Sequence, residues 1–179
     1  MVMPKPKGGD FERPPTGMQR AVCVQVFDIG LHPGFQGVGF KPNLIMLFEL
    51  EARMAEGDYA SKRFLVSRQY TVSMHEKATF RKHLESWRAK AFDEDAVAAF
   101  CAPPGTDVLH GKQATLNLME TESGFVKIDS ILPPMAGENL VPEYADVPEW
   151  IQKKIDEGFE LGPRDTMDGP PVDDADVPF

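Results

Sequence analysis

The sequence predicts a mainly β domain: five strands, a helix between the third and the fourth, and an acidic tail that follows the domain. Three observations predict it. Short apolar runs with turn residues between them recur along residues 21–132, the apolar period changes from 2 to 3.6 only once among them, and the composition shifts beyond Pro133-Pro134. A chain of 179 residues is long enough for one domain with a real core and an extension, and short for two.

Residues 1–18 are rich in Pro, Gly and charge and predict a flexible arm. The domain is expected over 19–135. AVCVQVFDI (21–29) is β-branched and apolar and predicts the first strand. GLHPGFQGVGFKPN carries four glycines and two prolines and predicts a long turn. LIMLFELE (44–51) is the second strand. KRFLVSRQYTVS (62–73) is the third, with Phe64, Val66, Arg68, Tyr70 and Val72 on one parity.

Ser73-Met74-His75-Glu76 then fits a capping box and predicts a helix over about 74–91, with Phe80, Leu84, Trp87 and Ala91 as its apolar stripe. A short acidic helix is expected at DEDAVAAF (93–100), closed by Pro103-Pro104-Gly105. KQATLNLMET and GFVKIDSIL predict strands four and five around a turn at Glu122-Ser123-Gly124. Five strands with a helix between the third and fourth is the layout of an OB-fold, a small Greek-key barrel whose strand 2–3 face and adjoining loops hold oligonucleotides. Residues 136–161 form an extension, with a helix at PEWIQKKI (148–155) docking Trp150, Ile151 and Ile155 on the body. Residues 162–179 are expected to be a disordered linker and acidic tip.

Composition narrows the function classes. No apolar run approaches the ~20 residues of a membrane span, and no apolar stretch follows Lys5 and Lys7 as a secretory signal would require, so the expected location is the cytoplasm. Cys23 and Cys101 have no metal-like spacing and are expected to be reduced thiols. The net charge of −9 is unevenly spread: residues 138–179 hold 12 acidic against 3 basic side chains, and the body is neutral. Within that body, residues 62–90 carry eight basic residues against Glu76 and Glu85.

No enzyme signature stands out. His32, His75, His83 and His110 are scattered, and His75 and His83 are too far apart to share a metal as an i, i+4 pair. GFQGVGF lacks the spacing of a phosphate-binding loop and precedes a strand rather than a helix. Glu49 and Glu51 share a strand face, which a solvated strand end explains better than a metal site. No catalytic residue, metal or cofactor is expected.

Single-stranded nucleic acid asks for a positive groove and for aromatic faces on which bases stack. The candidates are Phe35, Phe40 and Lys41 in the first loop, Lys62, Arg63, Arg68 and Tyr70 on strand 3, and Lys77, Arg81 and Arg88 on the helix. Each has a plainer reading. Tyr70 alternates with Val66 and Val72 and is as well placed to be core; Trp87 belongs to the apolar stripe; basic helix residues are usually a solvated face.

The tip PVDDADVPF is the sharpest signal. A tail that only aids solubility needs charge alone, whereas Pro178-Phe179 behind Asp173, Asp174 and Asp176 asks for a partner pocket with a basic rim. DDADVPF resembles the C-terminal tip of bacterial single-stranded-DNA-binding proteins, where aspartates precede a Pro-Phe ending. A second resemblance covers about residues 20–156. RAVCVQVFDIG, FELE, YTVSMHEKATFRKHLESWRAKAF and PEWIQKKI are similar to a family of small bacteriophage or prophage proteins found among replication and recombination genes and described as OB-fold, single-stranded-DNA-binding-like.

The resemblance implies the fold and the role: coating ssDNA with little sequence preference during phage replication or recombination, and recruiting host or phage replication and repair proteins through the tip. It supplies no motif that assigns the DNA-contacting residues. Homo-oligomerisation is compatible with such a domain. The rival expectation is a protein-interaction module or mimic that engages tip-binding partners without touching DNA.

Overall fold

The computed structural model describes residues 12–158. Its frame is one five-stranded antiparallel sheet of β1 (Gly17–Pro33), β2 (Phe40–Arg53), β3 (Arg63–Thr71), β4 (Gln113–Glu120) and β5 (Val126–Leu132), in the order β3-β2-β1-β4-β5. Three helices accompany it: α1 (Thr79–Arg88) and α2 (Glu94–Cys101) between β3 and β4, and α3 (Glu149–Glu157) after β5. The mainly β character, the five strands and the helical insertion follow the sequence pattern.

The sheet is open rather than a hydrogen-bonded barrel. β3 and β5 form its two edges, and what joins them is a side chain: Arg68 Nη1 donates to the carbonyl of Ile128. The ladder turns on β1, whose pairing with β2 slips at two bulges, Cys23/Gln25 and Asp28/Gly30. Bulges bend a strand and raise its local twist. One long β1 can therefore pair β2 along most of its length and β4 over Gly17–Val22.

Strand β1 is longer than 21–29 predicted. It runs through the glycine-rich segment to Pro33, so the long turn shrinks to a 3-10 turn at Phe35–Gly37, closed by the Gly34 N–H donating to the carbonyl of Gly39. Gln36, Gly37 and Gly39 all take positive φ there. Flanking residues that pair across the hairpin, His32 with Lys41 and Pro33 with Phe40, override the local turn composition.

The capping box does not form. Helix α1 starts at Thr79 after Ala78, which supplies no side-chain cap. Ser73 Oγ instead accepts from the N–H of His75, and His75 Nδ1 from the N–H of Lys77, a local turn that takes up the donors a cap would have served. α2 is capped as its acidic start suggests, with Asp93 accepting from the N–H of Ala96. The first residues described also touch the body: Glu12 accepts from the N–H groups of Ala55 and Glu56, and Arg13 pairs with Glu120.

Two apolar layers form. The larger, between the sheet's inner face and α1, gathers Cys23, Leu44, Met46, Phe48, Val66, Tyr70, Phe80, Leu84, Trp87, Leu116 and Ile131. On the opposite face of β1 and β2, Phe27, Ile29, Ile45 and Leu47 pack under Ile151 and Ile155 of α3 and under Tyr144. Both faces of β2 are thus covered, which is why LIMLF (44–48) is continuously apolar. Trp150, expected to dock beside Ile151, is 49% exposed, because it lies one residue round the helix from the buried stripe. Cys23 is buried and Cys101, at the end of α2, is exposed; both are free thiols. Among the described residues no helix is long and apolar enough to cross a membrane.

Candidate nucleic-acid interface

The predicted basic residues fall into three fates. Arg63, Arg68 and Arg81 hold the fold together. Arg63 leaves β3 on its outer side and donates to the carboxylate of Glu49 at 2.8 Å and to the carbonyl of Val141 at 2.8 Å. Glu49 is 1% exposed and also accepts from the backbone N–H groups of Glu143 and Tyr144. This buried carboxylate, considered above only as a solvated strand end, is the anchor of the C-terminal extension. Arg53 and Glu143 pair beside it at 2.6 Å, which raises the Arg53 pKa and lowers that of Glu143.

Arg68 lies on the inner parity of β3. Its guanidinium sits 5.3 Å from the centre of the Tyr70 ring and bridges to Ile128. Tyr70 is core: its hydroxyl lies 2.8 Å from His83 Nδ1, and burial pushes its pKa well above the usual phenol value. His83 is held neutral, its pKa lowered to about 4, first by burial and then by Arg68; a backbone hydrogen bond with Asp129 opposes this. Arg81 clamps the end of its own helical insertion, donating to Glu85 and to the carbonyls of Met74 and Phe92. The Phe92 N–H and Arg81 together hold the Glu85 carboxyl below its usual range.

Lys41 is buried at the start of β2, and Phe40 beside it is half-buried. Phe35 opens the 3-10 turn, and its side chain lies outside the described residues. Lys62, Lys77 and Arg88 are exposed. Lys62 Nζ is 5.7 Å from the Tyr59 ring centre, and Arg88 is 4.3 Å from that of Phe92. Asp173, Asp174, Asp176, Pro178 and Phe179 lie outside the described residues.

Two exposed aromatic residues escaped the sequence reading. Tyr59, half-exposed in the β2–β3 connection, and Phe125, 74% exposed in the β4–β5 turn, both stand at hairpin tips. Tip residues in short polar loops were the available signal, since an aromatic ring there has little to bury against. Two residues after Phe125 in the sequence, Lys127 is exposed on β5. An exposed ring with a neighbouring cation offers a base a stacking face and its phosphate a charge. Two hairpin tips provide that, whereas the outer face of β1 and β2 is occupied by α3 and Tyr144. Among the described residues no group of His, Cys, Asp and Glu is arranged to hold a metal ion. Compared with protein-family models, curated proteins and solved structures, the chain gives no match.

Proposed function

We propose that the chain is a single-stranded DNA-binding protein, built on an OB-type sheet whose edges β3 and β5 are bridged by the Arg68 side chain instead of a ladder. The observation that carries the reading is the strand order β3-β2-β1-β4-β5 with the helical insertion after β3, the order that an OB-type barrel would have if opened between β3 and β5, where Arg68 spans the gap. Tyr59 with Lys62 and Phe125 with Lys127 supply stacking and phosphate contacts at the hairpin tips. The segment Asp173–Phe179 recruits replication and repair proteins of a phage or its bacterial host, in the cytoplasm. Such a role in replication or recombination is compatible with monomers or homo-oligomers.

Fluorescence-anisotropy titration with a labelled oligo-dT strand tests it. Saturable binding that weakens with salt is expected, and Tyr59→Ala and Phe125→Ala should each weaken it about 5- to 150-fold, the ~1–3 kcal/mol of one stacked base. Absence of binding at low salt would overturn the proposal. It would favour the second reading, a protein-interaction module, which two observations support: Arg63, Arg68 and Arg81 are spent inside the fold, and the outer face of β2 is covered by the chain itself.

A further inference from the structure

A cleft of about 690 Å³ opens between α1, α2 and the 3-10 turn Gly105–Leu109, within the size range of ligand sites. Its walls are apolar and aromatic, with Leu84, Trp87, Phe92 and Phe100 among them, and the two charged residues on its lining, Arg88 and Lys112, are both cations. The cleft explains an oddity of α2. Although it is the most apolar of the three helices, none of its residues is buried. Its Ala96, Ala99 and Phe100 face the cleft instead of closing it.

We infer that this cleft is the docking site of the chain's own segment Asp173–Phe179, with the Phe179 ring among Trp87, Phe92 and Phe100 and the aspartates paired by Arg88 and Lys112. Three arguments carry the assignment. Chemistry comes first: an apolar slot edged by two cations asks for an aromatic group flanked by carboxylates, and Asp173, Asp174 and Asp176 with Val177-Pro178-Phe179 have that composition.

Reach comes second. The last described residue, Gly158, packs against the carbonyl of Ile29, so closely that a Cβ there would clash with it. The rim of the cleft is tied to the same strand three and six residues away, where His110 Nε2 accepts from the N–H of Val26 and the Gly111 N–H donates to the carbonyl of Cys23. That is roughly 10–20 Å along β1, and the 21 residues from 159 to 179 span up to about 70 Å. Third, tethering supplies an effective concentration in the millimolar range, so even a weak contact is populated. The inference does not depend on DNA binding.

The test is ¹⁵N–¹H NMR of the full chain against Phe179→Ala, without DNA. The Trp87 indole N–H, which donates to the Gln113 carbonyl at 2.7 Å, is the reporter at the cleft. Phe179→Ala should shift that resonance and those of Phe100 and Lys112, and a synthetic peptide of residues 171–179 should return them toward wild type. Lys112→Glu, at an exposed position that leaves the core intact, should abolish the response to the peptide. Superimposable spectra, shifts centred away from the cleft, or shifts that vanish on dilution, as docking between copies would give, each overturn the assignment. Because no DNA is present, such a failure leaves the ssDNA reading standing, and loss of DNA binding leaves this one standing.

Discussion

His83 shows how a single position couples the core to pH. Its ring is wedged against Tyr70 and near Arg68 and Asp129, and burial holds it neutral with a pKa of about 4. In the unfolded chain the same imidazole titrates at its ordinary value near 6.5. Between those values the unfolded chain binds more protons, so this group's contribution to stability is complete above about pH 6.5 and is lost as the pH falls toward 4. Denaturant midpoints at pH 7 and pH 5 should differ accordingly, and His83→Gln should flatten the difference. An NMR titration placing His83 near 6.5 would sink this account. Little of it was legible in the sequence, where His83 is simply one of four scattered histidines. The Arg68 contact was not legible for a related reason: parity put the residue on the inner face, yet a long cationic side chain can leave that face at a sheet edge and cap a carbonyl there.

At the scale of elements, strands were more readable than helix ends. Continuous apolar composition marked β2, and period 2 marked β3, because burial on two faces or one leaves a direct trace. The α1 start was missed because Ser73 has two uses for the same oxygen, a cap or a turn, and the sequence does not rank them. Helix α3 was anticipated within two residues, and so was its docking through Ile151 and Ile155; which face of the sheet it covers was not. It lids the outer face of β1 and β2, with Ile151 fully buried at the centre of that layer. Ile151→Ala should therefore lower unfolding free energy by about 2–5 kcal/mol, the usual range for emptying a buried isoleucine site. Equilibrium urea unfolding measures it; a change below 1 kcal/mol would mean the helix is dispensable to the domain.

For the whole molecule, charge segregation is the governing feature. Residues 138–179 carry the entire excess of −9, so on the ssDNA-binding reading proposed above a polyanion would meet a neutral body with an acidic segment attached. Removing residues 163–179 should tighten binding to oligo-dT, more at low salt than at high, since screening shortens the reach of the competing charges. Equal affinity at low salt would count against competition. This asymmetry was plain in the sequence. What it concealed was that three of the eight cations over residues 62–90, Arg63, Arg68 and Arg81, are committed to Glu49, Glu85 and backbone carbonyls, because a charge count says nothing of the partners that folding brings together.

The contrast between the two thiols gives the molecule a single addressable handle. Burial pushes the Cys23 pKa up to about 12, so at neutral pH it offers almost no thiolate, whereas Cys101 lies open at the end of α2. A thiol reagent should titrate one fast equivalent in the native protein and two after denaturation. A fluorophore attached there, one residue from Phe100, would watch the cleft fill and empty in real time without any engineered cysteine.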